Sequence, residues 1–127
     1  MEHKPATGQR WSPSPEEHFT GSVWNTRIHD SEEGITVLGV QFAPGARTDW
    51  HTHPGGQVLY VVSGSGVVQT DDGSTLEISP GDVVHAPPGE RHWHGAAPDS
   101  TMMHLSLTSG GITQWEEKVS DEDYLRR

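Results

Sequence analysis

His51-Thr52-His53 constrains this chain more than any other feature, because side chains two residues apart share a face on a strand and diverge on a helix. The pair sits in a regular frame: Gly45, five residues, His51-Thr52-His53, three residues, Gln57, six residues, Gly64. A second frame reads Gly81, five residues, Pro87-Pro88-Gly89, two residues, His92. Two imidazoles on one strand face, joined by groups from neighbouring strands, make a pocket for one divalent cation. His51, His53, Gln57 and His92 are therefore candidate metal ligands.

The rest of the chain follows the same strand logic. From Phe19 onward, short runs of Val, Ile, Leu, Thr and aromatic residues alternate with turn residues. Candidate strands are Gly21–Ile28, Ile35–Phe42, Thr48–His53, Gln57–Ser63, Gly66–Thr70, Ser74–Ile78, Asp82–Ala86, Arg91–Ala96 and Thr101–Thr108. Asp71-Asp72-Gly73-Ser74 is a hairpin signal, since its glycine accepts positive φ. Many short strands with glycine and proline punctuation predict an all-β, antiparallel sandwich or barrel. Residues 1–18 are polar and carry Pro5, Pro13 and Pro15, which predicts an extended N-terminal arm; residues 19–127 are expected to form one domain. Ser120 is placed to cap a short C-terminal helix over Asp121–Arg126.

Composition excludes several classes. The 127 residues include no cysteine, so disulfides, thiolate metal sites and cysteine nucleophiles are out. Acidic residues outnumber Lys and Arg by 18 to 8, a formal charge of -10 that disfavours nucleic-acid phosphates. No apolar run approaches the roughly 20 residues of a membrane span. Met1–Arg10 lacks a hydrophobic signal core, so a soluble cytoplasmic protein is expected. Ser63-Gly64-Ser65-Gly66 joins strand to strand and reads as a turn, not a phosphate loop. The absence of G-x-S-x-G and H-E-x-x-H removes serine-hydrolase and zincin readings.

Strand parity sorts the remaining candidates. Gln57, Leu59 and Val61 share one face, with Val58, Tyr60 and Val62 on the other; His92 and His94 share a face opposite Trp93. His104 lies with Met102, Ser106 and Thr108, while Met103, Leu105 and Leu107 form an apolar alternate. An inward His104 can exchange a proton near neutral pH and is the catalytic candidate; a hydrogen-bonded structural histidine is its plainer alternative. His94, Leu38, Val40 and Thr108 are candidate substrate-pocket residues, with core packing the alternative for Leu38 and Val40 and a surface position for His94. His85 approaches the pocket mouth, whereas His3, His18 and His29 are expected in solvent. Trp50 and Trp93 are expected outside the barrel or under its rim. Three imidazole nitrogens and an amide oxygen suit octahedral Mn²⁺ or Fe²⁺, with Ni²⁺, Cu²⁺ or Zn²⁺ also compatible. Four protein ligands on such an ion leave two positions for water or substrate.

The two framed blocks resemble the two motifs of the cupin superfamily over roughly residues 35–108. That resemblance implies a double-stranded β-helix, a jelly-roll barrel with the metal inside. The chain departs from the usual motifs at Gln57, where a glutamate is common, and at Ala96, where an asparagine is common. A neutral amide leaves the site about one unit more positive than a carboxylate would, favouring redox-neutral polarisation of a substrate over oxygen chemistry. Pro44-Gly45-Ala46-Arg47-Thr48, Trp50-His51-Thr52-His53-Pro54, the run from Gly89 to Pro98 and Met103-His104-Leu105 resemble small single-domain bacterial cupins that include manganese-dependent hydroxynitrile lyases. The likeness extends to Trp115 and Ser120-Asp121-Glu122. It implies a three-histidine, one-glutamine site at His51, His53, Gln57 and His92 holding Mn²⁺ first, then Fe²⁺, with His94 beside rather than on the metal.

The expectation is thus a metal-dependent lyase acting on a small organic substrate, a cyanohydrin in the hydroxynitrile version. Quercetinase-like dioxygenase chemistry and a non-catalytic cupin that binds a metal or small ligand are the competing classes. A homodimer is expected, the N-terminal arm being able to add a strand to a partner's sheet edge. Neither nucleic acid nor membrane is an expected partner.

Overall fold

The computed structural model describes residues 1–32 and 34–125. A single 3₁₀ turn at Ala6–Gly8 interrupts the otherwise extended arm. The strands in chain order are β1 (Ser12–Pro13), β2 (Phe19–Thr20), β3 (Val23–Asp30), β4 (Ile35–Phe42), β5 (Arg47–Thr48), β6 (His51–Thr52) and β7 (Gln57–Gly64). They continue as β8 (Gly66–Thr70), β9 (Thr75–Ile78), β10 (Val83–Ala86), β11 (His92–Ala96), β12 (Met102–Ser109) and β13 (Gln114–Trp115). Helix α1 (Asp121–Leu125) follows, its Asp123 N–H donating to Ser120 Oγ as the capping signal predicted. Arg126, where the predicted helix ended, lies outside the described residues.

All pairings are antiparallel and form two facing sheets. The first runs β1-β3-β4-β12-β7-β10; the second runs β13-β6-β11-β5-β2, with β8 beside β11 and β9 beside β8. Alternation along β7 and β12 aims Leu59, Val61, Met102, His104 and Ser106 inward, the face that strand parity predicts. Val23, Val40, Phe42, Leu59, Val61, Val68, Ile78, Ala96 and Met102 fill one end of the space between the sheets. A truncation such as Leu59→Ala at this level costs about 2–5 kcal/mol, transfer plus cavity. The opposite end is occupied by polar side chains, among them His51, His53, Gln57 and His92.

A second apolar cluster lies outside the barrel. Trp50, Val67, Trp93, Val119 and Tyr124 pack where the C-terminal segment crosses the outer side of the second sheet. This bears out the expectation that both tryptophans sit outside the barrel. Arg47 holds the segment by donating to Val119 O and Asp121 and lying 4.5 Å over the Tyr124 ring. Arg91 pairs with Asp71, Glu116 and Glu117 and covers Trp50 at 4.1 Å.

The predicted strand Thr48–His53 is broken into β5 and β6. At the break, Asp49 N–H donates to His18 O, and Trp50 exchanges backbone hydrogen bonds with Glu116 and Glu117. The chain changes pairing partners there, from β2 to the C-terminal segment. The arm pairs within its own chain, Ser12 opposite Asn25 and Pro13 opposite Trp24.

Candidate metal centre and its cavity

Three adjacent segments bring the candidate ligands together. His51 on β6 pairs directly with His92 on β11. His53 follows β6, and the turn Pro54-Gly55-Gly56 returns the chain to Gln57 at the start of β7. Only glycine fits this turn. Gly56 has φ +79°, and a Cβ on Gly55 would fall 1.7 Å from Ser109 O. Gly56 N–H and Gly89 N–H both donate to His53 O, which ties the two histidine-bearing segments to each other.

One reactive nitrogen of His51, His53 and His92 faces a common point, all three lying within 4.8 Å of one another. The ring orientations have identifiable causes. His51 Nδ1–H donates to Asp49 O at 2.8 Å and His92 Nδ1–H to Glu90 O at 2.9 Å, leaving each Nε2 with a lone pair. His53 Nδ1 lies 3.2 Å from Thr113 Oγ1, while its Nε2 is buried without a partner. Gln57 Nε2 donates to Ser106 Oγ at 2.8 Å, which turns Oε1 to within 2.9 Å of His92 Nε2.

Burial keeps these imidazoles uncharged. It holds His51 well below the usual imidazole range, and the neighbouring His92, His53 and His104 press it further down. Burial, with His92 nearby, pushes His53 to about 4. Burial also lowers His92, against an upward pull from the Glu90 backbone. A neutral His92 then sets a nitrogen lone pair against an amide-oxygen lone pair. Two acceptors facing each other, beside the orphaned His53 Nε2, are stabilised by a cation among them. The donor set fits a divalent metal held by His51, His53, His92 and Gln57.

Beside the group lies a cavity of about 90 Å³. Leu38, Val40, Phe19 and Trp115 give it apolar walls, and His94, His104 and Ser106 line its inner end. His104 Nε2 and His94 Nδ1 are 2.9 Å apart, and both residues are buried. The outer nitrogens of this pair, His94 Nε2 and His104 Nδ1, have no partner. Burial drives His94 well below its ordinary value and pushes His104 to about 4. The Phe42 ring closes the floor, 5.2 Å from His104 and 6.0 Å from His94.

Of the sequence-predicted pocket residues, Leu38, Val40 and His94 line this cavity. Thr108 does not. It pairs with Gln57 at the outer end of β12 and faces a separate cleft with Ile35, Gly56 and His85. The alternation that points Thr108 inward is undone by position, since β12 has passed the level of the ligands by that residue. His18, expected in solvent, stacks on Trp115 with centroids 4.5 Å apart and planes 8° from parallel. Phe19, Thr113 and Trp115 were not predicted as pocket residues; only the tail likeness around Trp115 pointed their way.

The barrel, its framed histidine blocks and the buried N/O donor group define the class. Residues 40–108 match the cupin domain, and the chain belongs to that family. Over 131 aligned positions, 99% of this chain and all of the relative, it is 45% identical to an (R)-mandelonitrile lyase of Granulicella tundricola. A cupin-like protein of Thermotoga maritima superposes with a TM-score of 0.86 at 39% identity, covering 89% of this chain and 90% of the other. The polyketide cyclase RemF of Streptomyces resistomycificus shares the fold, with a TM-score of 0.79 at 21% identity over 98% of this chain and 90% of that one.

Proposed function

We propose that this protein is a metal-dependent hydroxynitrile lyase, cleaving a small cyanohydrin to an aldehyde or ketone and hydrogen cyanide. The observation that carries the reading is the juxtaposition, at one apolar cavity, of a three-imidazole, one-amide donor group and a hydrogen-bonded His94–His104 pair whose outer nitrogens have no partner. The full-length likeness to an (R)-mandelonitrile lyase supports it. The mixed N/O set with its neutral fourth donor suits Mn²⁺ or Fe²⁺, and the resemblance to manganese-dependent hydroxynitrile lyases favours Mn²⁺ of the two.

Bound at His51, His53, His92 and Gln57, a divalent cation supplies Lewis-acid stabilisation of negative charge on substrate oxygen or nitrile nitrogen. The protein's own contribution is proton transfer and exclusion of water. If His94 Nδ1–H donates to His104 Nε2, His94 Nε2 carries the lone pair and acts as the base. It accepts the cyanohydrin O–H proton as the C–CN bond breaks. The O–H electrons become the second C=O bond, the C–CN pair leaves on cyanide, and the proton returns to cyanide. His104 positions His94 and selects its tautomer, in the manner of an orienting third group. Apolar Leu38, Val40 and Phe19 keep the cavity dry, so the charges that develop are less screened.

The test is cyanide release from mandelonitrile by Mn²⁺-loaded protein, with chiral analysis of the remaining substrate. Enantioselective release above the rate with buffer and free Mn²⁺ is expected. No excess rate with a fully loaded site overturns the proposal.

A further inference from the structure

Lys118 lies three residues beyond Trp115, outside both the metal-ligand group and the cavity lining. Its side chain is half exposed, yet its ammonium is directed at protein acceptors. Nζ donates to Glu16 O at 2.6 Å, to Phe19 O at 3.3 Å and to Asp49 Oδ2 at 3.4 Å. An ammonium has three N–H donors, and all three are engaged. The two carbonyls bracket residues 16–19, a stretch that carries both rings backing Trp115. His18 stacks on that ring at 4.5 Å, and Phe19 meets it at 5.6 Å. The third acceptor belongs to Asp49, whose own carbonyl receives His51 Nδ1–H. One side chain thus joins three segments that each contribute to the cavity, through Phe19, His51 and Trp115.

We propose that Lys118 is a positioning residue for this cavity: it clamps residues 16–19 behind the Trp115 ring and so sets the size of ligand that reaches the histidine group. This role rests on the proposed metal centre and not on the lyase reaction. The arm needs the anchor. The backbone ladder that holds it there is two residues long, Phe19 opposite Thr48 and Thr20 opposite Arg47. So short a ladder opens readily when nothing else secures it. The distances separate a clamp from simple neutralisation of Asp49. A lysine serving only the carboxylate would make its shortest contact there. Instead the shortest contact is to Glu16 O, while Asp49 Oδ1, 3.1 Å away, is an ion-pair partner without a hydrogen bond. The buried carboxylate fixes where the ammonium sits, and the carbonyls are what it holds.

Lys118→Met keeps the stem and removes the donors. In Co²⁺-loaded protein, 4-phenylimidazole should perturb the visible spectrum of this variant at about 10-fold lower concentration than in wild type, while affinities for imidazole and for Co²⁺ stay within about 2-fold. In metal-free protein, amide exchange at Asp49, whose N–H donates to His18 O, should accelerate about 10-fold, with Gly56 N–H unchanged. Asp49→Asn combined with Lys118→Met leaves no carboxylate buried without its cation, so it tests the clamp even where the single variant does not fold. It should show the same widened selectivity. Lys4→Met removes the same charge from the exposed start of the arm and should match wild type. Unchanged selectivity or unchanged Asp49 exchange in Lys118→Met overturns the proposal, as does an equal change in Lys4→Met. Wild-type selectivity in the double variant also overturns it, since Lys118 would then only neutralise Asp49. A wild type that binds no Co²⁺ removes the metal centre and the ligand role with it. Absent turnover with the cobalt results intact counts against the lyase reading alone.

Discussion

Ser106 Oγ accepts a 2.8 Å hydrogen bond from Gln57 Nε2, and this contact decides which end of the Gln57 amide faces the histidines. With nitrogen anchored on β12, the oxygen is held toward His92. Ser106→Ala frees the amide to rotate and present NH₂, a donor that repels a cation. Metal affinity should fall about 10–100-fold, with little change in fold. Titration with Co²⁺, followed by visible absorbance, checks this. Unchanged affinity would show that Gln57 needs no such anchor. Gln57→Glu should act in the opposite direction, tightening binding by adding a charge.

The metal-free protein should lose stability on mild acidification. His53 and His104 have folded-state pKa values of about 4 against an ordinary 6.5. Between those values the unfolded chain binds more protons than the folded one, so stability rises with pH across that window and falls as pH drops through it. A group shifted this far contributes on the order of 3 kcal/mol over the whole window. Tm measured from pH 7.5 to 4.5 should therefore decline most steeply below 6.5. His104→Gln should flatten the curve. A Tm independent of pH would contradict the burial of neutral imidazoles.

The division of labour between His94 and His104 has separate kinetic signatures. His94→Ala removes the proposed base and should lower kcat about 10²–10⁴-fold while leaving metal content intact. His104→Gln retains a group that can accept from His94 Nδ1–H and should be milder than His104→Leu, which leaves that donor buried and unpaired. The KM against kcat split is the test. If His104→Leu and His104→Gln are equally impaired, His104 does more than orient its neighbour.

Local pattern made much of this legible. The bounds of β4 and β8 follow from runs of β-formers between turn residues, and inward parity of Gln57, His92 and His104 follows from period two. What sequence could not supply depends on distant chain. The break at Asp49–Trp50 arises because His18, Glu116 and Glu117 claim backbone groups there. His18 reads as an exposed polar residue until Trp115, almost a hundred positions away, turns out to lie flat against it. Thr108 has the right parity and the wrong height, since period two gives a face but not a depth.

Trp115 sets the final prediction, since it walls the cavity from the edge of a sheet. Its ring lies 4.9 Å from His51 and is backed on its other side by His18 and Phe19. The wall made by Leu38 and Val40 belongs to β4, eight residues long, whereas β13 is only two residues long and sits at a sheet edge. A cavity of about 90 Å³ accepts only compact ligands, well below the roughly 300–1,000 Å³ of sites that hold larger molecules. Trp115→Ala should enlarge the space next to the ligands without removing a donor. In Co²⁺-loaded protein, imidazole should perturb the visible spectrum of both wild type and variant, while 4-phenylimidazole should do so about 10-fold more readily in the variant. Among cyanohydrins, kcat/KM for a naphthyl substrate should rise relative to mandelonitrile. The cobalt measurement needs no turnover, so it distinguishes a wrong wall from a wrong reaction. Equal access of both imidazoles to the wild-type site would show that the cavity is bounded by something other than this ring.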